Sequence, residues 1–184
     1  TDLLVIAPIT ANTMAKLSHG AADNLLSLTA LAASCPLLIA PAMDGGMYSH
    51  PATQANIKIL EGRQVEIAGP AQGHLASGQA GVGRMLEPEH IFGRIRQILA
   101  RGGALEGRKI TISAGPTQEP FDPVRFISNH SSGKQGFALA QAGLDMGAQV
   151  TLISGPVDLQ PPHGAHTVNV QTAAEMLQAV MSSL

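Results

Sequence analysis

Ser113–Gly136 has the sequence SAGPTQEPFDPVRFISNHSSGKQG, and this polar segment lies between two runs of different periodicity. Arg108–Ala114 before it alternates and is β-branched, which predicts a strand, whereas the apolar spacing of Phe137–Ala148 after it predicts a helix. Gln149–Ser154 predicts a second strand. Strand, long loop, helix and strand in this order form a βαβ unit, in which ligands bind beyond the carboxyl ends of the strands. A loop this long in a compact domain is usually functional or disordered.

The end of the segment carries groups that suit an anion. Ser131 and Ser132 are the predicted N-caps of the helix, Gly133 allows the backbone to approach a ligand, and Lys134 adds positive charge. A helix N-terminus offers free N–H groups and a partial positive charge to phosphate. Because the spacing G-x-x-x-x-G-K-[ST] of a phosphate-binding loop is absent, an ordinary capped helix is an alternative interpretation.

The first half of the chain predicts two buried parallel strands that end in polar turns. Leu3–Ala7 and Pro36–Ala40 are continuous apolar runs, as is usual for strands covered on both faces. Each is followed by a turn that contains proline, so the two turns are expected side by side at one sheet edge. Helices are predicted after them, capped by Asn12 or Thr13 for the first and by Asp23 for one over Asn24–Ala33, with another over Pro51–Leu60.

A third polar turn, Gly73–Met85, follows the short predicted strand Val65–Ala68. Its four glycines predict a mobile flap, in which Arg84 is a fixed charge. Beyond it, Pro88–Ala100 predicts a helix whose apolar stripe consists of Ile91, Ile95, Ile98 and Leu99. The glycine-rich run 101–107 then predicts a domain boundary.

Gly115–Gly136 resembles the signature of the phosphopantothenoylcysteine synthetases, and the resemblance continues through Val150–Val157, which contains the second predicted strand. The three polar turns of the first half resemble, in order, the PASANT motif, the PxMNxxMW motif and the substrate clamp of the flavin-dependent cysteine decarboxylases. These resemblances imply two Rossmann-like or flavodoxin-like α/β domains with parallel sheets, both incomplete. The expected bounds are 1–100 for the decarboxylase part, 101–107 for a linker and 108–184 for the ligase part.

For the first half, the decarboxylase resemblance implies an FMN cavity and decarboxylation of 4'-phosphopantothenoylcysteine to 4'-phosphopantetheine. The implied cofactor-binding residues are Thr10, Ala11, Asn12, Thr13 and Ala42, and those that face the substrate are Asp44, Met47, Ser77 and Arg84, with Ser77 at the catalytic position. Helix capping by Thr10 and Asn12, core packing by Met43 and Met47, and a surface charge at Arg84 are the alternatives.

For the second half, the synthetase resemblance implies ligation of 4'-phosphopantothenate to cysteine with CTP and Mg2+. Asn129 is the implied catalytic residue, since a neutral amide donor can stabilise developing oxyanion charge. Arg125 is expected to bind phosphate or carboxylate, or else to pair with Asp122 as part of the turn. Ser131, Ser132 and Gly133 are expected at the phosphate. No metal ligands can be named, and the seven histidines lack metal-ligand spacing.

The chain departs from the decarboxylase pattern at two positions. Asp44 stands where the motif commonly has an asparagine that holds the substrate carboxylate, and an ionised aspartate would repel that group unless it is protonated or turned toward a donor. Ser77 stands where well-known members have a cysteine that donates a proton, and a hydroxyl is a much weaker acid. The resemblance also places the catalytic histidine, the first flavin turn and a lysine-rich loop outside this sequence, so the 184-residue chain alone is expected to be inactive.

The amino-acid composition disfavours some classes of binding partner. The net charge of −2 and the aromatic content of 3% disfavour nucleic acid, and no apolar run is long enough to predict a membrane span. The single cysteine, Cys35, fits a reducing cytoplasm. The resemblance implies a homo-oligomer that acts on small molecules. The alternative is a non-catalytic flavoprotein-like binding or regulatory module, whereas a dinucleotide-binding oxidoreductase lacks its G-x-G-x-x-G motif.

Overall fold

The computed structural model describes residues 1–183 and divides into a first compact unit, Thr1–Ile98, and a second that begins at Leu99. The first unit contains a parallel sheet in the order β1-β2-β3, formed by Leu4–Ile9, Leu37–Pro41 and Glu66–Ile67. Its helices are α1 (Ala11–His19), α2 (Leu25–Ala32), α3 (Gly45–Ser49), α4 (Pro51–Gly62) and α5 (Pro88–Leu99). The strands predicted from apolar runs are therefore present, as are the helices predicted at Pro51 and Pro88.

Alternation along the central strand β2 builds a core on each face of this sheet. Ile39 packs with Met14 of α1 and Leu60 of α4, whereas Leu38 packs with Ile98 of α5. All five side chains are nearly inaccessible to solvent. Since both faces of β2 are covered, its sequence is a continuous apolar run. Leu99, the last residue of the apolar stripe of α5, has a half-exposed side chain.

Two predicted helix caps in the first unit are wrong. The N-cap of α1 is Thr10, whose hydroxyl accepts the Thr13 amide, rather than Asn12 or Thr13. The N-cap of α2 is Asn24, one residue after the predicted Asp23, because Asn24 forms a reciprocal capping box with Ser27. Asp23 instead pairs with Lys16 at 2.7 Å.

The glycine-rich segment predicted as a flap folds largely into an antiparallel hairpin of β4 (Ala71–His74) and β5 (Ala80–Arg84). The Leu75 amide donates to the Gln79 carbonyl across the turn at 2.8 Å. At the base, the Met43 amide donates to the Gly83 carbonyl at 2.9 Å. The first bond closes the hairpin turn, and the second holds the hairpin against the residues that follow β2.

The second unit contains a parallel sheet in the order β10-β9-β6. Its strands are β6 (Lys109–Ala114), β9 (Gln149–Ser154) and β10 (His166–Asn169), its helices are α6 (Lys134–Asp145) and α7 (Ala173–Ser182), and the long loop holds a small hairpin of β7 (Gln118–Pro120) and β8 (Phe126–Ser128). The predicted α/β class with parallel, flavodoxin-like sheets is confirmed. No helix within residues 1–183 is long and apolar enough to cross a bilayer.

The N-cap of α6 is Gly133, so the prediction that Ser131 or Ser132 caps this helix is wrong. Gly133 has a φ of 73°, a left-handed conformation that glycine adopts without strain, and no side-chain hydrogen bond caps the helix. A side chain at this position would also approach the Cγ1 of Val157 at 3.1 Å. The chain therefore enters α6 through a glycine because it passes close to its neighbours there.

We predict that Gly83→Ala destabilises the first unit by at least about 2 kcal/mol, because a Cβ at residue 83 would lie 2.1 Å from the Met43 carbonyl oxygen. Urea unfolding followed by circular dichroism measures the change. Gly62→Ala is the matched control, since nothing lies within 4 Å of a Cβ there and alanine favours the end of α4. Equal stabilities of the two variants would contradict the packing described here.

Candidate functional site

The carboxyl ends of β1 and β2 bring two of the predicted turns together. In the parallel register Ile9 pairs with Pro41, and the Ala42 amide donates to the Ile9 carbonyl at 3.0 Å. The residue after each strand, Thr10 and Ala42, therefore lies at the same edge of the sheet. This is the edge at which an open α/β sheet binds ligands.

The N-terminus of α1 opens onto this edge. Thr10 accepts the Thr13 amide at 3.3 Å, and the two threonine hydroxyls are 3.2 Å apart. No acidic residue lies in the first turn of α1. Ala11 and Asn12 occupy that turn with small or exposed side chains. The capping alternative for Thr10 is therefore observed, while Asn12 does not cap the helix.

A cavity of about 360 Å³ lies between the end of β2 and the β4–β5 hairpin. It brings together four predicted site residues, which are Ala42, Asp44, Ser77 and Arg84. Sequence reasoning missed His74 and Gly83, which also line it; the close packing of Gly83 was signalled only by the glycine content of the segment. Met47 lies on α3 outside this lining and is half exposed, so the core-packing alternative is wrong for Met47.

Asp44 is held by two donors. Its Oδ2 accepts the Ser77 hydroxyl at 2.7 Å, and its Oδ1 accepts the Gly46 amide at 3.0 Å at the start of α3. The Ser77 hydrogen bond, followed by that of Gly46, lowers the pKa of Asp44 below its ordinary value of 3.8. Asp44 is thus an ionised aspartate turned toward donors, and 33 residues separate it from the serine that contacts it.

Arg84 carries the positive charge of this cavity. Its guanidinium forms an ion pair with Glu87, and both side chains are about half exposed. The stem of Arg84 lies over Gly73, where a Cβ would be 3.0 Å from its Cδ. The exposure agrees with the surface-charge alternative, but the residue also lines the cavity that contains Asp44.

In the second unit, a cavity of about 540 Å³ lies at the end of β6 and the start of α6. Ser131, Ser132 and Gly133, which the sequence places at a phosphate, line it together with His130 and Lys134. Asn129 precedes them, and its Oδ1 accepts the Ser131 amide at 2.8 Å. Because the carbonyl oxygen of the Asn129 side chain is used in this way, its NH2 group is the part that can donate to a ligand.

Arg125 has the structural role that the sequence left open as an alternative. Its Nε donates to Asp122 Oδ2 at 2.6 Å, and its guanidinium lies 5.1 Å from the ring centroid of Phe121. The backbone amides of Val124 and Arg125, followed by the Arg125 side chain, lower the pKa of Asp122. Arg125 is absent from the lining of the cavity at α6.

A third cavity, of about 600 Å³, lies beyond β9 and β10 and includes Ser154, Asn169 and Glu175. Sequence reasoning did not identify it, and the Gly155-Pro156 break after β9 was the available signal. The N-terminus of α7 beside it is already occupied: Glu175 accepts the amides of Gln171 and Thr172, and Glu119 accepts that of Ala173 at 2.8 Å. Two carboxylates therefore fill this helix end, whereas none fills that of α6.

Within the described residues, no group of three or more His, Cys, Asp or Glu side chains is placed to hold a metal ion. Cys35 is half-buried and free.

We predict that Ser77→Ala raises the pKa of Asp44 toward 3.8, since the Ser77 hydroxyl is the main group that lowers it. A carboxylate whose pKa is lowered in the folded state contributes stability above its unfolded pKa and loses it as the pH falls through the folded value. The variant should therefore be less stable than the wild type at neutral pH and equally stable in strong acid. NMR titration of Asp44 and Tm measurements test this; an unchanged pKa would contradict the hydrogen bond.

Two family models match the two units of the chain. The model described as Flavoprotein matches residues 1–100, and the model described as DNA/pantothenate metabolism flavoprotein C-terminal domain matches residues 105–184. The first match covers more than half of the chain, which is enough to assign the chain to the family of that model.

Curated relatives match nearly the whole chain. It is 50% identical over 184 residues to a cysteine/cysteine sulfinic acid decarboxylase from an unknown prokaryotic organism, covering 97% of this chain and 51% of the relative. It is 49% identical over 181 residues to the coenzyme A biosynthesis bifunctional protein CoaBC of Vibrio parahaemolyticus, covering 98% of this chain and 45% of that protein. The CoaBC of Bacillus subtilis is 48% identical over 184 residues, with 98% and 45% covered. The chain spans about half the length of these relatives.

The chain is also similar to a solved structure of a PPC decarboxylase variant in complex with pantothenoylaminoethenethiol. The match covers 52% of this chain and 54% of that one, with 39% sequence identity and a TM-score of 0.51. The resemblance to both halves of the bifunctional proteins, predicted from the sequence, is confirmed. The chain belongs to the flavoprotein family, and a pantothenate metabolism flavoprotein C-terminal domain follows its flavoprotein domain.

Proposed function

We propose that the protein acts in coenzyme A biosynthesis as a bifunctional enzyme. Its first unit decarboxylates 4'-phosphopantothenoylcysteine to 4'-phosphopantetheine with FMN, and its second ligates 4'-phosphopantothenate to cysteine with CTP. The observation that carries the proposal is that each parallel sheet ends in a cavity lined by the motif residues of one of these two reactions. The expected bounds, 1–100 and 108–184 with a linker between them, are part of the proposal.

The residues at the end of β1 fit FMN in chemical character. Thr10, Ala11, Asn12, Thr13 and Ala42 combine small side chains with hydroxyl, amide and helix N-terminal donors, without a carboxylate in the first turn of α1. A helix N-terminus of this kind suits phosphate. When bound, FMN supplies the oxidation of the cysteinyl thiol and the return of the electrons. The chain's own groups then hold the substrate beside it, with Arg84 placed to bind an anionic group.

The assignment of Ser77 as proton donor stays a prediction, and the hydrogen bonding of Ser77 does not favour it. The Ser77 hydroxyl donates to Asp44, so its proton is already directed at a carboxylate. A hydroxyl is also a weaker acid than a thiol, whose pKa is about 8.5. The geometry supports a role for Ser77 and Asp44 in shaping the cavity. Met47, exposed on the neighbouring α3, remains a candidate substrate contact.

The second unit offers one of its two helix N-termini to phosphate. Glu119 and Glu175 fill the N-terminus of α7, and like charge would repel an anion there. The N-terminus of α6 has no capping side chain, and Ser131, Ser132 and Lys134 line the cavity before it. We therefore assign the phosphate of 4'-phosphopantothenate to α6.

Asn129 is the proposed catalytic residue of the ligation. The Ser131 amide fixes the Oδ1 of Asn129, which leaves the side-chain NH2 as an oriented donor for the oxyanion of an acyl intermediate. Arg125 stays a candidate substrate ligand even while it pairs with Asp122, since its guanidinium has further donors.

The nucleotide requires a further place at the same sheet edge. The cavity beyond β9 and β10 is large enough to be a candidate for the uncharged nucleoside part of CTP, whereas the Glu175 carboxylate that lines it would repel the phosphates. Mg2+ would arrive with the nucleotide phosphates, because this ion keeps several waters and needs only one or two carboxylates from the protein.

A non-catalytic flavoprotein-like binding or regulatory module is the alternative. It gives no role to Asn129 or to the cavity at α6, and this favours the enzyme. We also propose a cytoplasmic homo-oligomer, without nucleic acid or membrane partners. The exposed leucines of α2 support an interface, since Leu25, Leu28 and Leu31 are each more than half exposed.

We expect the natural full-length protein to purify with the absorbance spectrum of a flavin and to release CO2 from 4'-phosphopantothenoylcysteine. Flavin content and CO2 release are measured on the same preparation. A flavin-bearing protein that releases no CO2 would contradict the decarboxylase proposal and favour the binding module.

Asn129→Ala should reduce ligation by about a hundredfold or more, the usual effect of removing one oxyanion donor. Decarboxylation should be unchanged. Gln141→Ala is the matched control, because this amide lies on α6 and bonds Asp145, away from the cavity. Adduct formation from 4'-phosphopantothenate and cysteine measures the effect; equal rates for both variants would remove Asn129 from the catalytic machinery.

A further inference from the structure

The side chains of Asp44 and Ser77, which line the first cavity, offer a ligand only hydrogen-bond acceptors. Asp44 receives hydrogen bonds from the Gly46 amide and the Ser77 hydroxyl, one at each oxygen. The single hydroxyl proton of Ser77 is directed at Asp44, so its oxygen offers only lone pairs to a ligand. The Gly46 amide at the start of α3 is likewise taken up by Asp44. A ligand carboxylate beside Asp44 would meet like charge and no donor from these two side chains.

The lining of the cavity also carries the opposite charge. Arg84 lines the same cavity, and its ion pair with Glu87 uses one nitrogen of the guanidinium. The guanidinium has five N–H donors, so donors remain for a second carboxylate. Besides Asp44 and Arg84, the titratable side chain in the lining is His74. The cavity is therefore polarised, with an anion at the end of β2 and a cation at the end of β5.

We propose that this cavity binds an α-amino-acid zwitterion, with the ammonium at Asp44 and the carboxylate at Arg84. A free amino acid carries its ammonium and its carboxylate on the same Cα, so one small ligand presents a charge of the right sign to each of the two residues. An N-acylated amino acid keeps an amide N–H, which can donate to Asp44, but it has lost the positive charge. The ligands that this cavity accepts thus include N-acylcysteines and also free amino acids of about the size of cysteine. This inference rests on the proposed function only in one respect, which is that cysteine derivatives are chosen as the test ligands.

The segments that carry Asp44 and Arg84 are joined before a ligand arrives. The Met43–Gly83 backbone bond ties the base of the hairpin to the end of β2, and the Asp44–Ser77 bond ties its turn. Gly45 adds close packing, since a Cβ there would lie 3.1 Å from the Val82 carbonyl oxygen. A charge held in a rigid frame loses little freedom on binding, so it can discriminate between ligands.

The test compares two ligands that differ only at nitrogen. S-methylcysteine has an ammonium and N-acetyl-S-methylcysteine a neutral amide, and the methylated sulfur of both prevents oxidation. Calorimetry on the natural full-length protein should give an affinity for S-methylcysteine on the order of tenfold higher, as for a charge-assisted hydrogen bond that is partly screened. Asp44→Asn should reduce this ratio to about twofold or less, whereas Asp23→Asn, the matched control in the Lys16 ion pair, should leave it unchanged.

Two further measurements cover the case in which Asp44→Asn does not fold. Ser77→Ala keeps the Asp44 charge and should keep the preference for the ammonium ligand. In the wild type, added salt should weaken S-methylcysteine binding more than that of the acetylated ligand. A ratio near one in the wild type, or an unchanged ratio in Asp44→Asn, would overturn the proposal. Since neither ligand reacts, these outcomes are independent of flavin content and CO2 release, on which the proposed function depends.

Discussion

Parallel pairing of neighbouring strands is the constraint on which both candidate sites depend. In the first sheet Ile9 pairs with Pro41, so β1 and β2 end at the same edge. In the second sheet Ala114 pairs with Ser154, so β6 and β9 also end at a common edge. The turns that follow must then lie side by side, however far apart they are in sequence. In the first unit this places Thr10 next to Ala42, and in the second it places Gly115 next to Gly155. The chemistry of each unit is confined to that edge.

Close approach of backbone segments completes each site, and glycine permits it. A Cβ at Gly155 would lie 1.7 Å from the Pro116 carbonyl oxygen, and one at Gly83 would lie 2.1 Å from that of Met43. The polar turns can therefore pack against one another directly, leaving their side chains to line the cavities. The same packing holds the β4–β5 hairpin against the end of β2, so Asp44 and Arg84 line one cavity.

The elements with long apolar runs or clear periodicity could be predicted from the sequence. Buried strands such as Leu37–Pro41 and helices such as α5 follow from spacing alone. The caps at Thr10, Asn24 and Gly133 could not, because adjacent residues of similar propensity compete and local dihedral angles decide between them. The two hairpins were also missed, since glycine-rich and proline-rich segments have no alternating pattern.

The candidate sites were predictable to a similar degree. Motif residues such as Ser131 and Ser132, expected at a phosphate, line a cavity at the end of β6, and their role there stays a prediction. The Asp44–Ser77 hydrogen bond was not predictable, because it joins residues 33 apart through the placement of a hairpin. It changes the interpretation of both departures from the family pattern: two substitutions that separately suggest impaired catalysis form one hydrogen-bonded pair in the folded chain.

The central claim is that one protein carries both reactions at two separate sheet edges. The most direct test incubates the natural full-length protein with 4'-phosphopantothenate, cysteine and CTP and follows the cysteine adduct and CO2 together. We expect the adduct to form first and CO2 to follow. Absence of both products would contradict the claim, and accumulation of the adduct without CO2 would restrict it to the second unit.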